Sequence, residues 1–219
     1  MIKYQYILFD LDGTLSQSAE GIRRSLEHAI HTLGAGMPNL DDYTLYIGPP
    51  LIDTFLNLVG LDKENAERGS QLYRDFYNAH GKFLNKAYDG IEDTLRELKA
   101  QGAKLAVCTS KYEKFAEEIV EILGLTSYFD AVCGSNLDGS RKDKCDLIPY
   151  AIASLGGSFE ADKGNTVMLG DTCFDAHGAM LCGVDFIGVR YGYGTEEAMR
   201  EEGATVFADT PTALLRLLI

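Results

Sequence analysis

The sequence predicts an α/β fold in which a parallel sheet core is interrupted, after its first strand, by a helical insert. Short continuous apolar runs, typical of buried parallel strands, alternate with amphipathic segments along most of the chain. This alternation indicates βαβ units with helices on both faces of one sheet. Residues 18–87 differ, because they contain helix patterns and no convincing strand.

The individual elements follow from these patterns in chain order. Strands are expected at residues 6–9, 104–108, 129–133, 166–170, 185–189 and 205–207. Helices of the core are expected at residues 91–101, 111–123, 145–155, 173–182, 195–202 and 211–218. Helix patterns in the insert, separated by glycine and proline breaks, cover residues 18–33, 41–46, 50–59 and 63–80.

These elements predict two domains. Residues 1–17 and 88–219 form the α/β core, which carries the catalytic residues. Residues 18–87 form a small second domain that is helical. Parallel sheets bind ligands at the carboxyl ends of their strands, so the residues that follow the strands are the candidates for the site.

Composition excludes several classes of partner. The chain has 219 residues, with 33 acidic against 20 basic ones, and a net charge of −13 disfavours a nucleic-acid partner. No apolar run approaches the roughly 18–20 residues that span a bilayer, which predicts no membrane partner. The five cysteines are scattered and fit reduced thiols. We expect a cytoplasmic enzyme that is a monomer or a weak homodimer and acts on a small molecule.

The strongest motif lies directly after the first strand, where Asp10 and Asp12 precede Gly13. Two carboxylates at this spacing face one ligand site if the chain turns, and glycine permits that turn. Such a pair divides the chemistry, since one carboxylate attacks as a nucleophile while the other exchanges a proton.

A second acidic motif follows the strand at residues 166–170 and contains Asp171 and Asp175. Carboxylate oxygens are hard ligands that suit Mg²⁺. If the two strands are neighbours, Asp10 and Asp171 converge. Their mutual repulsion then requires a cation, so the sequence predicts a magnesium site.

Two further segments supply groups for binding a phosphate. Thr109 and Ser110 follow the second strand of the core and are expected to open a helix, whose amides bind anions. Lys142 and Lys144 precede the helix expected at 145–155, and either lysine supplies a positive charge. Lys144 is preferred because it lies closest to the helix start.

Together these residues resemble the haloacid dehalogenase (HAD) superfamily of aspartate-nucleophile phosphatases. Its motifs are D-x-D-G-T/V, a Thr or Ser after the second strand, a Lys, and G-D-x-x-x-D, and all occur here in that order. The runs YIGPPL (46–51), YDGI (88–91) and YGYG (191–194) are similar to the phosphoglycolate-phosphatase-like branch, which has a helical cap. The resemblance implies a HAD-like Rossmannoid core.

The resemblance also implies roles for single residues. Asp10 forms an aspartyl-phosphate, Asp12 is the acid and base, and Thr109, Ser110 and Lys144 bind the phosphoryl group.

It further implies that Mg²⁺ is held by Asp10, the Asp12 backbone carbonyl and Asp171. Asp175 then binds through water or orients its neighbours. The K-P-x-P-D setting that many relatives have around the lysine is absent here.

The resemblance also implies that residues 18–87 are the cap domain, which is expected to decide the substrate. Its roof should include Gly48 and Pro49, in a loop stiffened by two prolines. A small dianion such as phosphoglycolate needs a cation in the cap, and the candidates are Arg23, Arg24, Arg74 and Lys82.

The expected function is Mg²⁺-dependent hydrolysis of a small phosphorylated metabolite. A 5′-nucleotidase, a sugar-phosphate phosphatase and a phosphomutase of the same fold remain open alternatives. A receiver-like signalling domain, phosphorylated on Asp10 without turnover, is a more distant one.

Overall fold

A computed structural model describes residues 2–138 and 140–219, and a parallel sheet forms its centre. In chain order the strands are β1 (Tyr6–Phe9), β2 (Ser16–Gln17), β3 (Lys86–Ala87), β4 (Lys104–Tyr112), β5 (Ala131–Ser135), β6 (Thr166–Gly170), β7 (Asp185–Val189) and β8 (Val206–Ala208). Six of them pair in parallel in the order β5-β4-β1-β6-β7-β8. This confirms the α/β fold class.

In the core the helices alternate with the strands, whereas the insert between β2 and β3 contains helical elements only. They are α1 (Ala19–Leu33), α2 (Leu51–Asp53), α3 (Lys63–Ala79), α4 (Ile91–Ala100), α5 (Glu113–Ile122), α6 (Lys144–Ser154), α7 (Phe159–Asp162), α8 (Cys173–Cys182), α9 (Glu196–Glu201) and α10 (Ala213–Leu218). A π-helical turn over Thr54–Leu58 continues α2. No helix in the described residues is long and apolar enough to cross a membrane.

Alternating side chains of β1 bury both faces of the sheet. Ile7 and Phe9 belong to one apolar cluster, whereas Tyr6 and Leu8 belong to another on the opposite face. Phe9 lies level with both Val107 of β4 and Leu169 of β6. The register therefore brings the carboxyl ends of β1, β4 and β6 to the same edge.

The helical insert leaves and rejoins the core through a short antiparallel pair, β2 and β3, in which Ser16 lies opposite Ala87. Within it, α1 packs against α3 around buried Leu26 and Phe55. The Ser16 hydroxyl donates to Asn85 Oδ1 at 2.6 Å, and Asn85 Nδ2 donates to the Tyr77 hydroxyl at 3.1 Å. These bonds join the crossing strands to helix α3.

Three expected elements are wrong in extent. The strand expected at 104–108 continues to Tyr112, so the helix expected at 111–123 begins at Glu113. A bulge explains this, because Cys108 pairs with Cys133 while Tyr112 pairs with Ser135. The helix expected at 41–46 is only a 3₁₀ turn over Tyr43–Leu45. Thr109 and Ser110 consequently lie in a bulged strand and do not open a helix.

Candidate active site

A cavity of about 530 Å³ separates the carboxyl edge of the sheet from the helical insert. The sheet contributes the residues that follow β1 and β6 together with the bulge of β4. The insert contributes α3 and the loop before α2. Residues lining the cavity include Asp10, Asp12, Thr109, Ser110, Lys142, Lys144, Asp175, Gly48, Pro49 and Arg74.

Three buried carboxyl groups, those of Asp10, Asp171 and Asp175, meet at the sheet edge. One oxygen from each lies within 4.8 Å of the others. Burial raises the pKa of Asp10 to about 7, although the Lys144 ammonium opposes this, and burial raises the pKa of Asp171 well above its usual range. Hard oxygen donors crowded in this way fit a divalent cation, whose charge offsets the repulsion.

The Asp171 carboxylate is held in place by hydrogen bonds. Its Oδ2 accepts from the Tyr193 amide at 2.8 Å, and its Oδ1 accepts from the Thr14 hydroxyl at 3.2 Å. Gly13 allows this packing, because its φ is +87° and an added Cβ would overlap the Asp171 carboxylate. The chain thus orients Asp171 from both the first motif and the 191–194 loop.

Lys144 lies beside two members of the acidic cluster, Asp10 and Asp175. Its Nζ is 2.6 Å from Asp10 Oδ1, 2.7 Å from Asp175 Oδ1 and 2.6 Å from the Cys108 carbonyl oxygen. Burial opposes charge on this ammonium, but the two carboxylates outweigh that effect and raise the pKa of Lys144. Lys142 is exposed at the cavity and forms no ion pair in the described part of the chain.

The two oxygens of Asp175 have different surroundings. Oδ2 accepts from the Thr172 amide at 3.1 Å and the Thr172 hydroxyl at 2.7 Å, whereas Oδ1 lies 2.7 Å from Lys144 Nζ but accepts no hydrogen bond from the described residues. The Oδ1 atom can therefore orient Lys144 and also take a further ligand.

Asp12 lies outside the acidic cluster and pairs with Lys111. The Lys111 Nζ is 2.6 Å from Asp12 Oδ2 and 4.6 Å from the centre of the Tyr77 ring in α3. Both side chains of the ion pair are largely buried, at 10% and 15% exposure. Burial opposes the charge of Lys111, but Asp12 outweighs it and raises the pKa of Lys111. The two carboxylates of the first motif thus have different environments.

Sequence reasoning assigned no role to Lys111. Lys111 directly follows Thr109 and Ser110, but with a helix expected at 111–123 nothing in the sequence indicated a contact between its side chain and Asp12. The bulge of β4 instead turns residues 109–111 towards the cavity. Thr109 is buried there, and its hydroxyl accepts from the Lys111 amide at 3.3 Å.

A family model described as haloacid dehalogenase-like hydrolase matches residues 7–189. The chain therefore belongs to this family, and the resemblance drawn from the motifs is confirmed. Membership of this hydrolase family, together with relatives that are named phosphatases, is consistent with hydrolysis of phosphate monoesters.

Three curated proteins of similar sequence carry names of different activities. A 5′-nucleotidase of Pseudomonas aeruginosa is 38% identical over 217 residues, covering 99% of this chain and 96% of that protein. The tyrosine-protein kinase PtkA of Mycobacterium tuberculosis is 38% identical, covering 95% of this chain and 69% of that protein. A phosphoglycolate phosphatase of Caulobacter vibrioides is 33% identical, covering 97% and 91%.

The fold is also found among solved structures. The crystal structure of a predicted phosphatase from Clostridium acetobutylicum is 39% identical and superposes with a TM-score of 0.89. The match covers 98% of this chain and 97% of that one.

Proposed function

We propose that this phosphatase is Mg²⁺-dependent and hydrolyses a small phosphorylated metabolite through an aspartyl-phosphate on Asp10. The observation that carries this proposal is the contrast between the two carboxylates of the first motif. Asp10 lies in the acidic cluster against Lys144, whereas Asp12 is held apart by Lys111. Carboxylates in such different environments can divide the roles of nucleophile and acid/base catalyst.

Asp10, Asp171 and the Asp12 backbone carbonyl would hold the ion, with Asp175 orienting Lys144. When bound, Mg²⁺ supplies positive charge that offsets the negative charge of the transferring phosphoryl group. The buried oxygen donors of Asp10 and Asp171 support this assignment.

The remaining steps belong to side chains of the protein. The Asp10 carboxylate attacks phosphorus while Lys144, Thr109 and Ser110 hold the phosphoryl oxygens. In its protonated form Asp12 gives a proton to the leaving oxygen, and the resulting carboxylate takes one back from the water that attacks the phosphoryl group. Lys111 keeps the Asp12 carboxyl group directed into the cavity throughout.

Residues 18–87 act as a cap domain in this proposal, and residues 1–17 and 88–219 form the catalytic core. The antiparallel pair of β2 and β3 serves as the hinge. Gly48 and Pro49 roof the cavity, and Gly48 lies close enough to Thr172 for an added Cβ to come within 3.2 Å of its methyl group. Closure excludes water and completes the site.

A second substrate class, besides phosphoglycolate-like molecules, is supported by the side chains that line the cavity. The cavity is within the size range of about 300–1,000 Å³ typical of sites for drug-sized ligands, and Tyr46, Tyr73 and Phe115 line it. Those aromatic side chains and the Pseudomonas relative favour a nucleoside 5′-monophosphate as the second candidate.

The test is phosphate release from phosphoglycolate, nucleoside monophosphates, hexose phosphates and p-nitrophenyl phosphate, with Mg²⁺ and with EDTA. We expect turnover with Mg²⁺ that is lost in Asp10→Asn. Asp146→Asn is the matched control, because Asp146 is exposed on α6 and lies outside the cavity. Turnover that survives in Asp10→Asn would refute the nucleophile assignment. A stable phosphoprotein without release would favour a signalling role.

A further inference from the structure

The four basic residues proposed as cap cations have different surroundings. Arg23, Arg24 and Lys82 are each neutralised by a glutamate, Glu27 at 2.9 Å, Glu20 at 2.6 Å and Glu118 at 2.6 Å respectively. Arg74 makes no ion pair with any residue in 2–138 or 140–219, and it lines the cavity. Within that described chain, Arg74 is therefore the candidate whose charge remains available to a ligand.

The guanidinium of Arg74 is half-buried on α3. Burial lowers the pKa of Arg74, and the nearby Tyr73 and Asp75 offset this only in part, since neither forms an ion pair with the guanidinium. Glu67 also lines the cavity, but its side chain is 62% exposed and its carboxylate is 4.0 Å from Lys63 Nζ. A partly desolvated guanidinium without a partner binds an anion more strongly than an exposed one.

Ser70 provides an independent observation one helical turn before Arg74. It is 2% exposed and lines the same cavity. Its hydroxyl has no hydrogen-bond partner within residues 2–138 and 140–219. Residues four apart on a helix lie on one face. Both groups are therefore available to the same ligand, and a buried hydroxyl without a partner is costly.

These two residues and the reacting groups lie on different walls of the cavity. Asp10 and Lys144 reach it from the sheet, whereas Ser70 and Arg74 reach it from the insert. A substrate whose phosphate meets Asp10 therefore presents its leaving group towards α3. Tyr73 and Ile22 add apolar surface to the insert's wall.

We infer that Arg74 and Ser70 form a distal anion subsite, and that the substrate is a phosphate monoester whose leaving group carries a second anionic group. That group is a carboxylate or a second phosphate, because a guanidinium pairs with either in a bidentate manner. The inference rests on the proposed function, since it takes the reacting phosphate to lie at Asp10.

The experiment compares substrates that differ only in the second anion. The pairs are phosphoglycolate against ethylene glycol monophosphate, a hexose bisphosphate against its monophosphate, and a nucleoside 3′,5′-bisphosphate against the 5′-monophosphate. The first pair probes a carboxylate, and the others probe a phosphate. The measured quantity is the ratio of kcat/KM within each pair, for the wild type, Arg74→Gln and Arg68→Gln. Arg68 is the matched control, because it is exposed on the same helix and lies outside the cavity.

The wild type should prefer the doubly anionic member of at least one pair. Arg74→Gln should reduce that preference by about 10- to 100-fold, which is the worth of a hydrogen bond to a charged group. The loss should fall mainly on KM, because the contact is with a part of the substrate that does not react. Arg74→Lys should retain part of the preference, Ser70→Ala should reduce it less, and Arg68→Gln should keep it.

An unchanged ratio in Arg74→Gln, with Mg²⁺-dependent turnover of both members, would overturn the subsite and leave the proposed function intact. If the wild type hydrolyses no member, the proposed function fails instead. The same pairs are then titrated calorimetrically into the wild type and Arg74→Gln, and equal affinity ratios would overturn the subsite independently.

Discussion

Replacing Lys144 with Gln should remove most of the activity and several kcal/mol of stability. The Lys144 ammonium lies 2.6–2.7 Å from three oxygens, and its side chain is 4% exposed. Removing one partner from a buried ion pair costs about 3–5 kcal/mol. Removing a preorganised electrostatic group from an active site lowers kcat by about 10²–10³.

The stability loss is measured in EDTA, because a bound cation would mask part of it. In a chain of this size 1 kcal/mol moves Tm by about 2–4 °C, so Lys144→Gln should lower Tm by about 6–20 °C. Activity is measured as kcat on p-nitrophenyl phosphate at saturating Mg²⁺. Lys142→Gln removes an equal but exposed charge and should change kcat by less than about threefold. The reasoning would be refuted if Lys144→Gln kept its kcat, or if Lys142→Gln showed the large loss.

Three further predictions concern other groups of the active site. Lys111→Gln should lower kcat at least about tenfold, because the Asp12 carboxyl group loses the partner that holds its position. Lys114→Gln, at an exposed lysine, should leave kcat unchanged. Equal kcat values for the two variants would contradict this role of Lys111. Because burial raises the pKa of Asp10 to about 7 and also raises the pKa of Asp171, binding of Mg²⁺ displaces protons from these carboxyl groups at lower pH. The calorimetric affinity for Mg²⁺ should fall at least about tenfold per pH unit below 7, and a flat profile would refute the displacement. Gly13→Ala should weaken Mg²⁺ binding and activity, because the added Cβ would overlap the Asp171 carboxylate. Gly203→Ala, at a similar φ but with no atom near the added Cβ, should only lower Tm slightly. Equal effects of the two substitutions would refute the overlap with Asp171 as the cause.

The raised pKa of Asp10 also determines how the stability of the metal-free protein changes with pH. The pKa of Asp10 lies above its ordinary value of 3.8, so the folded protein binds this proton more tightly than the unfolded chain does. Without metal, this carboxyl group therefore contributes stability at low pH that is lost as the pH rises towards 7. Mg²⁺ should accordingly raise Tm more at about pH 8 than at about pH 6.

Much of the fold was predictable because its signals are local. Buried strands such as β1 and β6 are short apolar runs that end in acidic motifs, and parallel pairing brings such ends together. The convergence of Asp10 and Asp171 also required β1 and β6 to be neighbours, which the sequence left as a condition and the sheet order fulfils. The motifs consequently indicated both the family and the acidic cluster.

Other features depend on pairing between distant segments. The extension of β4 to Tyr112 depends on a bulge against β5, so the contact between Lys111 and Asp12 has no local signal. Likewise, the sequence of the 191–194 loop indicated only a similarity to one branch of the family. Its contact with the site, in which the Tyr193 amide donates to the Asp171 carboxylate, depends on the folded chain. The availability of Arg74 depends on which carboxylates reach the other cap cations, and this is a property of the folded insert.

The most direct test of the central claim is to look for phosphate on Asp10 during turnover. The wild type and Asp12→Asn are mixed with p-nitrophenyl phosphate and Mg²⁺, quenched in acid within milliseconds, digested and analysed by mass spectrometry. The account predicts one hydroxylamine-sensitive phosphoryl group on the peptide that contains Asp10. It also predicts that this group accumulates in Asp12→Asn, because water is no longer activated. Phosphate on another residue, or release of phosphate with none on the protein in either variant, would contradict it.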